Sequence, residues 1–149
     1  MPTFILGNVV LDVEGFLVMV FGLNYPLHGY LHTLLLATAV GLMLGFVMFK
    51  LEAPFQPFYR KIQLETSRPL KLKSFLLAGV FGTVLHVMFD AFLYPEMLPF
   101  FPLTINPLLN FMSSLEVYLL CFWLGIFGIA YYVAFACLFE IPEEETEII

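Results

Sequence analysis

Four long apolar segments constrain this chain more than any other feature of its sequence. They cover residues 4–23, 31–49, 74–94 and 115–139, and each approaches or exceeds the roughly 20 residues that a helix needs to cross a bilayer. Only 12% of the 149 residues are charged, against about 25% in a typical soluble domain. The runs do not alternate as the strands of a membrane barrel would. The sequence therefore predicts an all-α integral membrane protein, a single domain folded as a four-helix transmembrane bundle.

Prolines and glycines refine this prediction. The ten prolines all fall between or outside the four segments, so we expect none of them to interrupt a helix. The stretch 95–103 is too apolar for a solvated loop and too rich in proline for a helix, which predicts a proline-rich outer lid or re-entrant loop covered by protein or lining a cavity. Gly41 and Gly45, four residues apart, permit a close helix contact, which we expect within the monomer and not at a dimer face.

The basic residues predict the orientation of the chain. Every Lys and Arg lies in the segment 50–73, and by the positive-inside rule this loop and both termini are cytoplasmic, in the inner or plasma membrane. The basic cluster is expected to contact the headgroups of membrane lipids and not nucleic acid, because it lacks regularly interleaved aromatic residues. The acidic tail, residues 140–149, supplies most of the net charge of -6 and is expected to be solvated.

Ionisable residues on the predicted spans point to a site. All three histidines and three carboxylates lie on or next to these spans, namely His28, His32, His86, Asp12, Glu14 and Asp90. A carboxylate at the centre of a bilayer costs about 3 kcal/mol. Because no basic side chain lies on the predicted outer side, these acids require protonation, a bound metal ion or a cation from a partner.

The spacing of these residues indicates which of them share a face. The pairs His28/His32 and His86/Asp90 are each four residues apart, so each pair is predicted to project from one face of a helix. Asp12 can reach the same region from the first span, with Asn8 on its face to orient it. Glu14 points elsewhere unless that helix is broken, which Gly15 could allow.

Imidazole and carboxylate ligands together suit a divalent ion such as Zn, Mn or Fe. A single buried histidine more often satisfies one hydrogen bond, and a single carboxylate can be protonated, but the combination favours metal binding. We therefore predict that Asp12, His32, His86 and Asp90 bind one or two divalent ions, most simply Zn.

Three patches also resemble a known family, the membrane-bound, predicted metal-dependent hydrolases of the LexA-regulated type. The patches are Leu11-Asp12-Val13-Glu14-Gly15, His28-Gly29-Tyr30-Leu31-His32-Thr33, and His86-Val87-Met88-Phe89-Asp90 followed by Pro95, Pro99 and Pro102. The family's corresponding patterns are Asp-x-Asp-His, His-Arg-Gly-x-Thr-His-Ser and His-x-x-x-Asp with prolines. Here Glu14 and Gly15 replace an aspartate and a histidine, and the arginine, a group suited to clamp phosphate, is missing. The resemblance implies a metal core of Asp12, His32, His86 and Asp90 in a hydrolase.

These observations predict a membrane-embedded hydrolase that uses metal-activated water on a lipid or other amphiphile at the outer leaflet. Glu14 or His28 would act as general base or orient the substrate. The alternative is a non-catalytic subunit of a larger membrane complex, with a structural metal site or none, packed against other membrane proteins or a second copy. A third reading, an ion or proton conduit, lacks acids along a continuous path.

Overall fold

Helices account for the regular secondary structure of this protein. The structure, a computed structural model, describes residues 2–61 and 70–138, and within these ranges it contains no strand. The α-helices of this part of the chain are α1 (Pro2–Gly7), α2 (Asp12–Phe21), α3 (Leu34–Lys61), α4 (Leu72–Leu93) and α5 (Ser114–Leu138). A 3-10 turn covers Tyr30–His32. The predicted all-helical class is confirmed, and α3, α4 and α5 are long and apolar enough to cross a membrane.

The chain divides into two compact units, residues 1–114 and 115–149. The first unit contains α1 to α4 and the irregular segment 94–113, and all the residues of the predicted site belong to it. The second unit contains α5, which begins within one residue of the predicted start of the last span. The predicted acidic tail, residues 140–149, lies outside the described residues.

The predicted first span is two short helices and not one. Residues 8–11 separate α1 from α2. At the start of this break, the Asn8 N–H and the Asn8 Nδ2 both donate to the Phe4 carbonyl, at 3.2 and 2.9 Å. Around the break, backbone bonds shorten to three residues, as from the Val9 N–H to the Leu6 carbonyl at 3.1 Å. Neither helix, of 6 and 10 residues, could cross a bilayer alone. The second helix ends at Gly22, which has φ 59° and donates to the Val18 carbonyl.

The expectation that no proline interrupts a helix is wrong for Pro54 and Pro57, which both lie inside α3. Each proline removes one backbone donor, but the helix nevertheless continues to Lys61. The predicted cytoplasmic loop 50–73 is therefore helical over its first twelve residues, and α4 begins at Leu72. Residues 62–69 of that loop lie outside the described ranges.

Glycines bring α3 and α4 into close contact, so the predicted helix contact within the monomer is confirmed. A Cβ atom added to Gly79 would collide with the Gly41 carbonyl oxygen, and one added to Gly45 would lie 2.5 Å from the Phe75 carbonyl oxygen. Gly82 faces α1 in the same way, because its added Cβ would lie 2.5 Å from the Phe4 carbonyl oxygen. Helix α4 is therefore held between α3 and α1 by backbone contacts.

The proline-rich segment 94–113 is irregular and folds back on the ends of two helices. The Leu34 N–H at the start of α3 donates to the Pro99 carbonyl at 2.8 Å. Near the end of α4, the Asn106 side-chain amide donates to the Ala91 carbonyl at 2.8 Å. Met97 is fully buried in a core with Leu11, Ala37, Val87 and Ala91. The interpretation of this segment as an outer lid or re-entrant loop stays a prediction, as does the complete four-helix bundle.

We expect Gly79→Ala to destabilise the protein, because the new methyl group collides with the α3 backbone. Overpacking of this kind typically costs about 1–3 kcal/mol, which exceeds the roughly 1 kcal/mol that alanine gains in helix propensity. The thermal midpoint should fall. It is measured in detergent by size-exclusion chromatography after heating. Ala39→Leu, which enlarges a side chain on the exposed face of α3, is the control, and an equal loss in both variants would contradict the contact.

Candidate metal centre

Three parts of the first unit supply the predicted metal ligands. His86 and Asp90 lie one turn apart on α4, as their spacing predicted. His32 closes the 3-10 turn before α3, and Thr33 caps that helix by accepting a hydrogen bond from the Leu36 N–H at 3.3 Å. Asp12 is the first residue of α2, where the helix dipole favours a carboxylate.

The four side chains meet at one point. One ligand atom from each of Asp12, His32, His86 and Asp90 lies within 4.8 Å of the other three. His86 Nε2 is 3.1 Å from Asp90 Oδ2 and 3.3 Å from Asp12 Oδ1, and the rings of His32 and His86 have centroids 5.5 Å apart. This cluster could hold a metal ion. Its open side is at Asp12, whose side chain is 57% exposed, whereas that of His32 is 1% exposed.

Two imidazole nitrogens in the cluster lack hydrogen bonds. His32 Nε2 and His86 Nε2 are both buried, and neither has a hydrogen-bond partner within residues 2–61 and 70–138. His86 Nε2 lies near two carboxylate oxygens, but their directions do not fit a hydrogen bond. Burying an unpaired polar atom costs about 1–3 kcal/mol. A cation bound between the rings and the carboxylates would satisfy both nitrogens.

Glu14 connects the loop before α3 to α2. Its carboxylate accepts hydrogen bonds from the Tyr25 hydroxyl at 3.2 Å, the Gly29 N–H at 3.1 Å and the Leu31 N–H at 3.3 Å. It also contacts His32 Nδ1 at 3.0 Å. A carboxylate bound to the far nitrogen of a metal-ligating imidazole fixes its tautomer and orientation. Because both oxygens are already engaged, these contacts indicate a different role for Glu14, the positioning of His32. Its predicted roles, as general base or in orienting the substrate, stay predictions.

Gly15, which could have allowed a break, does not interrupt the helix, because α2 runs through it. The helix is broken at residues 8–11 instead, so Asp12 and Glu14 both lie in the first turn of a new helix. Gly15 has a different role: an added Cβ would lie 3.0 Å from the Leu27 carbonyl oxygen. The absence of a side chain at Gly15 lets the loop cross close to α2, which brings His28 and His32 over both acids.

Asn8 also differs from its predicted role. Its side-chain amide caps α1 at the Phe4 carbonyl and does not orient Asp12. The backbone of Asn8, however, lies within hydrogen-bonding reach of the His86 ring. A backbone group in this position can orient the ring of a metal-binding histidine.

His28 lies beside the cluster but not on a helix, so the prediction that His28 and His32 share a helix face is wrong. It belongs to the loop between α2 and the 3-10 turn, where its ring meets that of His32 edge to face at 5.0 Å and stacks on Tyr94 at 4.1 Å. Its Nε2 is 3.9 Å from Asp90 Oδ2, and its Nδ1 is 3.0 Å from Glu96 Oε1. Sequence reasoning missed Glu96, although it is the one acid of the proline-rich segment.

A cavity of about 280 Å³ opens beside His28. Its wall includes His28, Glu96, Leu98 and the rings of Tyr25, Tyr30 and Phe101. Tyr30 packs 5.3 Å from Phe101 and 6.1 Å from Tyr25, ring centroid to ring centroid. His28 therefore separates the metal-ligand cluster from an apolar, aromatic chamber.

Two groups at this cavity have shifted pKa values. Burial raises the pKa of Tyr25, and the nearby Glu14 carboxylate raises it further, whereas a hydrogen bond from the Tyr30 backbone lowers it. The net pKa lies above its ordinary value, so the Tyr25 hydroxyl remains a donor at neutral pH. Burial raises the pKa of Glu96, but the hydrogen bond from His28 and one from its own backbone outweigh it, and the pKa lies below the ordinary 4.5. Glu96 is therefore ionised at neutral pH.

No family profile, curated protein or solved structure matches this chain. The resemblance to the LexA-regulated hydrolases consequently stays a prediction.

We expect Glu14→Gln to weaken metal binding at the cluster without removing a predicted ligand. The amide nitrogen of glutamine cannot accept hydrogen bonds, so the loop and His32 lose part of their support. Loss of such a supporting group typically lowers metal affinity about 10–100-fold, measurable by competition with a fluorescent chelator. Glu52→Gln, the same substitution on α3 outside the cluster, is the control. Equal affinity in the Glu14 and Glu52 variants would contradict the positioning role.

Proposed function

We propose that this protein is a membrane-embedded metal-dependent hydrolase that acts on a lipid or other amphiphile. One observation carries the proposal: the buried, unpartnered Nε2 atoms of His32 and His86 lie in one cluster with the carboxylates of Asp12 and Asp90. His28, whose Nε2 lies 3.9 Å from Asp90 Oδ2, connects the cluster to a cavity in whose wall it lies. The resemblance described above agrees with this assignment.

The donor set fits a divalent transition metal. Two imidazoles and two carboxylates suit Zn, Mn or Fe better than Mg or Ca, which prefer oxygen ligands alone. Two ligands about 2.1 Å from a tetrahedral Zn²⁺ are about 3.4 Å apart, close to the 3.1 and 3.3 Å from His86 Nε2 to the two carboxylates. One ion, most simply Zn, is the economical assignment.

The residues around this ion would divide the work of hydrolysis. A divalent ion in such a site lowers the pKa of a bound water toward about 7 and so supplies a nucleophile. His28, between Asp90 and the cavity, acts as general base, because its Nε2 faces the cluster while its Nδ1 contacts Glu96. Glu14 holds His32 in the orientation that binding requires.

The position of the cluster supports a lipid or amphiphile as substrate. It lies where α3 begins and α4 ends, whereas the described basic residues lie at the opposite end of this helix pair. Lys50 is 16 residues beyond Leu34, which is about 24 Å along a helix. If the basic end faces the cytoplasm, the cluster and cavity open near the outer leaflet. The broken helix α1–α2 would then form an interrupted span that packs against α4 through α1.

Metal analysis tests the site first. We expect the purified protein to retain a stoichiometric transition metal after dialysis against a weak chelator, and His86→Ala to lose it because this residue contacts both carboxylates. His28→Gln should retain the metal, since His28 lies outside the ligand set. Equal metal content in the wild type and the His86 variant would overturn the assignment.

Hydrolysis is tested on the same preparations with a panel of ester and amide amphiphiles in mixed micelles. We expect metal-dependent turnover that falls about 10²–10⁴-fold in His28→Gln, the usual contribution of a general base, with the metal content unchanged. Glu52→Gln should match the wild type. Metal without turnover, together with purification only in the company of unrelated chains, would favour the non-catalytic subunit instead.

A further inference from the structure

The cavity beside His28 has the composition of a site for an organic cation. Tyr25, Tyr30 and Phe101 line it, and the neighbouring rings of this aromatic cluster are inclined to each other by 54° and 68°. The faces of aromatic rings attract a cation that lies within about 6 Å of the ring centroid, and quaternary ammonium groups are recognised in this way. Leu98 and Pro26 complete an apolar lining that suits methyl groups.

The cavity walls are held in place before any ligand binds. The Tyr25 hydroxyl donates to Glu14 and accepts a hydrogen bond from the Tyr30 N–H at 2.8 Å, so both tyrosines are tied to α2. Tyr30 in turn packs edge-on against Phe101 of the proline-rich segment. Walls fixed in advance reduce the entropy lost on binding.

Charge selects the kind of ligand. Glu96 is the carboxylate in the cavity wall, and its contact with His28 fixes its position. Asp12, Glu14 and Asp90 lie nearby, and a divalent ion would offset only two of these four negative charges. Among the described residues, the nearest Lys or Arg along α3 is Lys50, at the far end of the helix pair. An isolated anion such as a phosphate monoester would therefore be repelled here.

We propose that this cavity binds the quaternary ammonium group of a small molecule or lipid headgroup, held by the three aromatic rings and Glu96. As an assignment of substrate class it rests on the proposed function, but the binding itself does not require the metal ion. At about 280 Å³, the cavity accommodates a headgroup and leaves any acyl chain outside.

The test compares choline with 3,3-dimethylbutan-1-ol, which has nearly the same shape but no charge. Binding to the protein in uncharged maltoside micelles is followed by titration calorimetry. We expect choline to bind at least about tenfold more tightly than the alcohol, and Glu96→Gln and Tyr30→Leu each to lower choline affinity about tenfold. Glu52→Gln should bind like the wild type. Equal affinity for choline and the alcohol, or an unchanged Glu96 variant, would overturn the proposal.

Two further arms separate the outcomes. Titration after metal removal by a strong chelator distinguishes the proposed cation site from the proposed hydrolase. Choline binding that is retained without metal supports the cavity as a cation site even where hydrolysis is not found. Short-chain phosphatidylcholine, compared with phosphatidylglycerol of equal chain length, then identifies the source of the group. Displacement of choline by the first lipid alone assigns a lipid headgroup, and no displacement by either lipid assigns a soluble quaternary amine. Equal displacement by both lipids would contradict charge selection.

Discussion

The hydrogen bonds accepted by the Glu14 carboxylate are the interaction on which the site depends. The donors are one hydroxyl and two backbone amides, and the carboxylate also contacts His32 Nδ1. Together these contacts fix a loop that has no regular structure before its 3-10 turn. Without them, nothing in the local sequence would place His32 opposite His86. Hydrogen bonds to a charged acceptor are worth about 1.5–3 kcal/mol, so one part-buried acid both orders the loop and selects the free nitrogen of His32.

The acids that form the site also repel one another, because their negative charges lie close together. Four carboxylates gather at one end of the α3–α4 pair, while the described lysines and Arg60 lie at the other end. Lys50 lies about 24 Å along α3 from Leu34, so the basic residues at the other end are too far away to form ion pairs with these carboxylates. A bound divalent cation would offset two of these four charges. The unpartnered nitrogens and the excess negative charge therefore have one common explanation.

The sequence predicted those parts of the site that regular helices position. His86 and Asp90 meet because one helical turn brings residues four apart together, and the α3–α4 contact follows from glycine spacing. Glu96 and His28 meet across 68 residues, through irregular segments whose paths depend on distant contacts such as Leu34 to Pro99. No periodicity encodes such paths. Pro54 and Pro57 show that a local rule can also fail: prolines are expected outside helices, but both lie inside α3.

The break at residues 8–11 explains why two acids can lie so close to a membrane span. In one continuous helix through residues 8–11, Asp12 would lie in the middle of a span, away from any helix end. The break instead makes Asp12 the first residue of α2, where the helix dipole favours a carboxylate by about 0.3–1 kcal/mol. It also places the Asn8 backbone beside the His86 ring. One interruption therefore supplies a ligand, a helix N-terminus to stabilise it and a support for a second ligand, which a continuous span could not do.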